Sequence, residues 1–125
     1  MVQQQPASTS LKSLRDLVMN MDSRIRFAGI LDREGRLLEG GMRSSVVPLL
    51  AHGKDDLFYL RTVSRIRDLK KFRSNLGELE YIYIKMEKLS FVSLSLRDEK
   101  TLLVSMEPDT DPSFIVPAIK NVLVE

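Results

Sequence analysis

The sequence predicts an α+β fold: a five-stranded antiparallel sheet (a two-stranded hairpin plus a three-stranded meander) with a long helix on one face and helices at both ends. Three observations lead to this fold class. Hydrophobicity alternates with a period of two in three successive segments between residues 81 and 106, which is typical of strands. A four-residue turn ending in glycine separates two earlier extended segments, as in a hairpin. Apolar residues spaced by three and four mark helices around these strands.

The N-terminal part of the chain predicts a leader and a first helix. Residues 1–9 are Gln-rich and polar and predict a disordered leader, whereas residues 10–125 are expected to form a single domain. Ser10 is the predicted N-cap. The apolar face of the helix that follows comprises Leu11, Leu14, Leu17, Val18 and Met21.

A β-hairpin is predicted next, over residues 25–41, with its turn at Asp32-Arg33-Glu34-Gly35. Glycine at the end of such a turn supplies a positive φ angle. The pair Gly40-Gly41 is expected to let the chain leave the sheet sharply. Residues 44–50 predict a short helix, with Pro48 tolerated in its first turn.

A long helix is predicted from Asp55 to about Ser74, ahead of the stop signals Asn75 and Gly77. Its apolar residues recur every three positions, so the apolar face turns back by about 60° at each step. Either the helix is broken, or its two ends pack against different surfaces, as in a helix shared between its own sheet and a dimer partner. The candidate dimer residues are Leu57, Leu60, Val63 and Ile66.

The meander is predicted to be apolar on one face, against which the long helix is expected to pack. That face comprises Ile82, Ile84, Met86, Val92, Leu94, Leu96, Leu102, Val104 and Met106. The less apolar face is a candidate floor for a small-ligand pocket, or else a surface covered by the first and last helices. It comprises Tyr81, Tyr83, Phe91, Ser93 and Ser95. A final helix begins at Pro112 and is kinked at Pro117, or begins later, at Ser113.

The composition argues against an enzyme. The chain has no Cys and one His, which excludes a thiolate nucleophile, a zinc–thiolate site and a multi-histidine metal site. That histidine, His52, stands beside Gly53 without a supporting catalytic motif. We therefore expect no catalytic residue, cofactor or metal. The absence of cysteine and of an apolar signal or membrane segment favours a cytoplasmic protein.

Positive charge is concentrated in one helix. The whole chain has 19 basic and 17 acidic residues, but residues 54–73 hold seven basic and three acidic ones. The candidate partner-binding residues, here called the basic set, are Arg61, Arg65, Arg67, Lys70, Lys71 and Arg73. This set is either a solvated helix face, a surface for an acidic protein or a surface for nucleic-acid phosphates.

The predicted order of elements resembles the roadblock/dynein light chain fold, which is related to profilin-like and longin-like domains. The sequence also resembles a family of small uncharacterised proteins of ammonia-oxidising archaea. The likeness rests on residues 22–32, 35, 40–41 and 104–108, together with Tyr81 and Lys85. The roadblock resemblance implies a dimer that joins sheets edge to edge, pairs its long helices, and docks small GTPases or larger scaffolds. It brings no catalytic residue with it.

Three functions are expected from these features. The first is a non-enzymatic, homodimeric, roadblock-like interaction module, regulating a small GTPase or serving a scaffold. The second is a small-ligand sensor that uses the Tyr/Ser sheet face. The third is a nucleic-acid-associated protein that uses the basic set.

Overall fold

A computed structural model describes residues 10–51 and 53–123 of the chain; the predicted leader and His52 lie outside the described residues. The five strands form one sheet in the order β2-β1-β5-β4-β3, with all neighbours antiparallel. A hairpin is thus joined to a meander through β1 and β5, and the predicted fold class is confirmed. The elements are α1 (Leu11–Asn20), β1 (Ile25–Leu31), β2 (Leu37–Met42), α2 (Lys54–Lys70), α3 (Arg73–Leu76), β3 (Ile82–Lys85), β4 (Ser90–Ser95), β5 (Thr101–Met106) and α4 (Pro112–Leu123).

The first and last helices cover one face of the sheet. Ser10 caps α1 as predicted, since its hydroxyl accepts a hydrogen bond of 3.1 Å from the Ser13 amide. Helix α4 begins at Pro112, with Pro117 inside it. Both helices bury apolar residues against alternate positions of β1, β4 and β5. This core includes Leu14, Val18, Ile30, Val92, Leu94, Leu102, Val104, Ile115 and Ile119.

Helix α2 lies on the opposite face, which corrects the expectation that it packs on the more apolar one. Its Val63 is buried with Phe27, Leu31, Phe91 and Leu103, whereas the Val92 face is already taken by α1 and α4. Two helices with broad apolar stripes bury more apolar surface there than a single helix does. The weakly apolar α2 is left with the face that mixes aromatic and serine side chains.

The predicted face of β3 is also wrong. Tyr83 pairs with Val92 and Ile84 with Phe91, and directly opposed residues of antiparallel strands share a face. The two-residue turn at 87–88 sets this register, since the Met86 amide donates to the Leu89 carbonyl at 2.8 Å. A period of two shows which residues of one strand share a face, but it does not show which face of the neighbouring strand they match. The turn between the two strands decides that. The isoleucines of β3 therefore face α2, and Tyr83 faces the side of α1 and α4.

Two local predictions between β1 and α2 fail. Gly40 and Gly41 lie within β2, opposite Gly29 and Ala28, and do not end the strand. A Cβ atom on Gly40 would come within 3.0 Å of the Gly29 Cα, so glycine here permits close pairing of two strands. The described residues 44–50 form a turn and an irregular segment, not a helix. This apolar stretch leaves Val47 77% exposed and gains too little burial to hold a helix.

The long helix is broken near its C-terminal end, one of the two alternatives that its apolar spacing leaves open. α2 ends at Lys70, and the four-residue helix α3 follows after Lys71 and Phe72. Gly77, with a φ angle of 90°, ends α3, as the predicted stop signal requires. The break leaves the side chains of α3 beyond the edge of the core.

Candidate interaction surface

The candidate dimer residues are divided between two sides of α2. Val63 and Ile66 are each 4% exposed and pack against the sheet, whereas Leu57 and Leu60 are 55% and 45% exposed. The apolar face that turns around the helix thus begins on the outer side and moves inward. Two of the four residues are in contact with the chain's own core, and the other two remain accessible to another molecule.

Helix α2 is anchored near both ends. Near its start, the Phe58 ring meets Phe91 edge-on at 4.9 Å and Tyr59 stacks on Phe27 at 6.0 Å. Near its end, the Arg67 guanidinium donates a hydrogen bond of 2.6 Å to the Arg33 carbonyl. The outer side chains of α2 therefore project from a helix that is tied to the sheet at one end and to the hairpin turn at the other.

The basic set comes together only in part. Arg67 is committed to the hairpin turn, and Arg65 donates to the Arg61 carbonyl at 3.4 Å. The Lys71 ammonium, one residue past the end of α2, lies 3.5 Å from the Asp68 carboxylate, an exposed pair of little energetic weight. Three of the six cations converge around an open depression of about 430 Å³; its lining residues are Lys70, Lys71, Arg73 and Ser74.

The sheet has an open edge at β3, which pairs only with β4 among the described strands. Tyr81 and Met86, which flank this strand, are both exposed. An edge strand offers unpaired backbone N–H and C=O groups to another strand. β3 is only four residues long, so any strand added there makes a short ladder.

An apolar cleft of about 490 Å³ opens beside the start of α2. Its floor is formed by Phe27 and Leu103 of the sheet. Burial raises the pKa of the Tyr59 hydroxyl in its wall, and the nearby carboxylates Asp55 and Asp56 raise it further. The lining of this cleft includes Phe27, Leu49, Leu50, Asp55, Phe58, Tyr59, Met86, Leu89 and Leu103.

Sequence reasoning misses this cleft because its lining comes from widely separated segments of the chain. The exposed stretch 48–50, for which the sequence predicts a helix, supplies one wall, and the β3–β4 turn supplies another. A run of apolar residues in a loop is the only signal that points to it. Clefts of this size fall within the range of ligand and peptide pockets.

The residues predicted to form the floor of a Tyr/Ser pocket do not lie together on one face of the sheet. Tyr83 lies on the face of α1 and α4, whereas Phe91 and Ser93 lie under α2. The Tyr83 hydroxyl donates to Ser90 Oγ at 3.1 Å, and Ser90 in turn donates to the Pro108 carbonyl at 2.9 Å. Tyr83 therefore fastens the loop before α4.

The part of the chain that the structure describes contains no group of three or more His, Cys, Asp or Glu side chains able to hold a metal ion. No helix in the same residues is long and apolar enough to span a membrane. The carboxyls with a lowered pKa are Asp16 on helix α1, Asp22 and Asp32 in turns, and Asp111 just before α4. Partial burial of the Asp32 carboxyl raises its pKa, but hydrogen bonds from Arg36 and from the Glu34 amide outweigh that effect and lower the pKa.

The fold is that of roadblock/LC7 domains. A roadblock/LC7 domain from Streptomyces avermitilis superposes with a TM-score of 0.70 over 92% of both chains, at 9% identity. MglB of Myxococcus xanthus gives 0.70 at 13% identity, covering 94% of this chain and 91% of that one. A structure titled MglB with tetrameric arrangement gives 0.73 at 12% identity, covering 98% and 92%. At these identities the likeness defines the fold alone.

Within that fold class, the chain belongs to the family of unknown function DUF6659, whose match covers residues 11–121. No protein of curated function matches the sequence.

Proposed function

We propose that this chain is a non-enzymatic, homodimeric interaction module. The observation that carries the proposal is the outer side of α2, where Leu57 and Leu60 are about half exposed on a helix that shares its sheet face with Ile84 of the open edge strand β3. When a twofold axis relates two copies, the α2 helices of the copies pair with each other, and so do their β3 edge strands. This arrangement removes the exposed leucines from water and completes the backbone hydrogen bonds of the edge.

The partner of this module is a protein with an acidic surface, and the roadblock resemblance favours a small GTPase or a scaffold. The converging cations Lys70, Lys71 and Arg73 supply the charge that would steer such a partner. The composition supports a cytoplasmic location, and the likeness of residues 22–32 to proteins of ammonia-oxidising archaea supports an archaeal origin. The tetrameric arrangement named for one MglB structure supports self-association on this fold.

Light scattering tests the dimer. The wild-type chain of 14.3 kDa is expected to give twice that mass at tens of micromolar, and Leu57→Glu is expected to give the monomer mass. Leu17→Glu is the matched control, because Leu17 is similarly exposed but lies on α1. A wild-type chain that is monomeric at these concentrations, or equal loss of the dimer in both variants, would overturn the proposal.

A further inference from the structure

The apolar cleft beside the start of α2 has a polar group in its floor. Ser105 lies in β5, opposite Phe27 of β1 and Phe91 of β4. Directly opposed residues of antiparallel strands share a face of the sheet, so the Ser105 side chain faces α2. It lines the cleft although the residue is only 6% exposed.

The Ser105 hydroxyl makes no hydrogen bond to any residue that the structure describes. The hydroxyl of Ser90, buried in the neighbouring strand, donates to the Pro108 carbonyl at 2.9 Å. Buried hydroxyls are usually paired in this way, because an unpaired one loses its hydrogen bonds to water without replacement. Ser105 therefore offers a free donor and acceptor at the bottom of the cleft.

Aromatic rings form the wall that α2 supplies to the cleft. Phe58 and Tyr59 both line it, and contacts with Phe91 and Phe27 of the sheet hold their rings in place. Such rings pack well, stacked or edge-on, against another planar ring. A cavity of about 150 Å³ holds benzene, so a cleft of about 490 Å³ has room for a molecule of about two fused rings.

The wall on the other side is held in place by Arg26. This residue is the extra one in a β-bulge of β1, where the pairing with β5 shifts its register, and bulges re-aim side chains. The Arg26 guanidinium donates to the Val47 carbonyl at 3.1 Å and to the Glu107 carboxylate at 3.2 Å. These bonds tie the segment 47–50 to the sheet, so this wall is in place without a ligand.

The charged residues that line the cleft balance one another. Arg26 and Lys88 are positive, whereas Asp55 and Glu87 are negative, and Arg26 is already paired with Glu107. An ionic ligand would lose its hydration here without gaining a net opposite charge. The lining therefore favours an uncharged molecule.

We propose that the cleft binds a small, uncharged aromatic molecule that carries a hydroxyl or carbonyl oxygen. Its ring lies between the aromatic wall of α2 and the segment 48–50, and its oxygen forms a hydrogen bond with the Ser105 hydroxyl. An apolar lining with one well-placed polar group is typical of small-molecule sites. The apolar walls supply the affinity, and Ser105 selects the oxygen.

This site goes beyond the proposed homodimer and uses another side of α2. At about 100° per residue, Leu57 lies roughly 200° and Leu60 roughly 140° around the helix from Asp55, which lines the cleft. Both exposed leucines thus point away from the cleft. Ligand binding and dimerisation are therefore expected to be independent.

Fluorescence titration with prodan, an uncharged aromatic ketone whose emission shifts to shorter wavelength in apolar surroundings, tests the site. The wild-type chain is expected to bind a single prodan molecule. Ser105→Ala is expected to weaken binding roughly two- to tenfold, the effect of one hydrogen bond. Ser93→Ala is the matched control, because Ser93 is buried on the same face of the sheet but does not line the cleft.

Dimethylaminonaphthalene, which lacks the carbonyl group of prodan, separates the hydrogen bond from packing. It is expected to bind equally to the wild type and to Ser105→Ala. An equal loss for both probes in Ser105→Ala would show that the change acts through packing, which would overturn the hydrogen bond. Tighter binding of the anionic probe anilinonaphthalene sulfonate than of prodan would overturn the assignment of an uncharged ligand.

A larger side chain in the wall locates the bound probe. Leu50→Trp is expected to abolish prodan binding, because the indole ring occupies the space of the ligand. Leu17→Trp is the control, since Leu17 is similarly exposed but lies on α1. Urea unfolding monitors the fold of each variant. A wild-type chain that binds no prodan, or unchanged binding in Leu50→Trp, would overturn the inference.

The variant Leu57→Glu separates this inference from the proposed homodimer. It is expected to be monomeric and to bind prodan as the wild type does. A wild-type monomer that binds prodan in the cleft overturns the homodimer alone, and a dimer that binds none overturns the ligand site alone. Loss of prodan binding in Leu57→Glu would place the probe on the outer side of α2, and would overturn the cleft as its site.

Discussion

Gly35, in the turn between β1 and β2, lies directly against the backbone of Leu60 in α2. A Cβ atom at Gly35 would stand 2.8 Å from the Leu60 Cα, and the φ angle of Gly35 is +85°. The sequence predicts glycine here for its positive φ angle alone. The structure adds that the hairpin turn is a seat for α2, meaning the surface on which the helix backbone rests. The segment of α2 that rests there is the one whose Leu57 and Leu60 side chains face outward.

Gly35→Ala is expected to destabilise the fold by about 2–5 kcal/mol. The left-handed backbone costs roughly 1–2 kcal/mol for a residue with a Cβ atom, and the clash with α2 adds a packing penalty of roughly 1–3 kcal/mol. Urea unfolding measures the loss. Gly53→Ala is the matched control, since Gly53 has a φ angle of +93° and nothing within 4 Å of its Cβ position. Equal losses in the two variants would show that the seat contributes nothing.

Arg43 is predicted to be a major stabilising residue that sequence patterns do not mark. Its guanidinium donates to the carbonyls of Ile25 at 2.8 Å, Met19 at 2.6 Å and Asp22 at 2.9 Å. It thereby ties the end of β2 to the end of α1. Arg43→Ala is expected to cost about 2–3 kcal/mol, because the change leaves part-buried carbonyls without their charged donor.

Arg43→Lys tests the geometry of this contact. A lysine keeps the charge but lacks the planar fork of donors, so we expect it to recover less than half of the loss in urea unfolding. Arg61→Ala, at an exposed position on α2, is the control and should unfold like the wild type. Full recovery by lysine would mean that charge alone, and not the fork, stabilises this corner.

Local features of the fold are predictable because short segments determine them. The Ser10 cap, the hairpin turn ending at Gly35 and the stop at Gly77 each depend on a few adjacent residues. The alternation in β4 and β5 is sufficient to place Val92 and Val104 on one face, where they pair. None of these signals depends on contacts with distant parts of the chain.

Features that depend on contacts between distant segments are not predictable in this way. The phase of β3 follows from the turn at 87–88, which no periodicity within the strand reveals. The face that α2 occupies follows from competition with α1 and α4, whose apolar stripes are stronger. The cleft combines Leu50, Phe58 and Leu89 from three segments, so its existence follows only from the assembled fold.

Acid should weaken the junction between α1 and β1. The Arg24 side chain holds the pKa of Asp22 down at about 2, helped by a hydrogen bond from the Arg24 amide. Because the folded-state pKa lies below the unfolded value near 4, this contribution is complete above about pH 5 and is lost as the pH falls through about 2. Asp22→Asn removes it at every pH.

The measurement is the free energy of unfolding in urea at about pH 7, 4, 3 and 2, for the wild type and Asp22→Asn. The advantage of the wild type is expected at neutral pH and should shrink steadily below about pH 4. Asp111→Asn provides a contrast at the start of α4, where hydrogen bonds from the Ser113 amide and hydroxyl lower the pKa of Asp111 without a cationic partner. A wild-type advantage that stayed constant across the acid range would contradict the assigned ion pair.

The last prediction separates a protein partner from nucleic acid. Each phosphate contact contributes about −0.9 to the slope of log affinity against log salt. Only Lys70, Lys71 and Arg73 converge, while Arg67 is committed to the Arg33 carbonyl. We therefore expect weak binding to a duplex of about 20 base pairs, with a slope no steeper than about −2.7. Raising salt from about 50 to 200 mM would then weaken binding by roughly 40-fold at most.

Fluorescence anisotropy across that salt range measures the slope. Replacing the three converging cations by glutamine is expected to abolish the residual binding, whereas replacing Arg61, Arg65 and Arg67 should leave most of it. A slope near about −5 requires contacts from nearly the whole basic set and therefore a rearranged α2. That result would favour nucleic acid over an acidic protein, because the chain as folded brings together three of the six cations of the basic set, Lys70, Lys71 and Arg73.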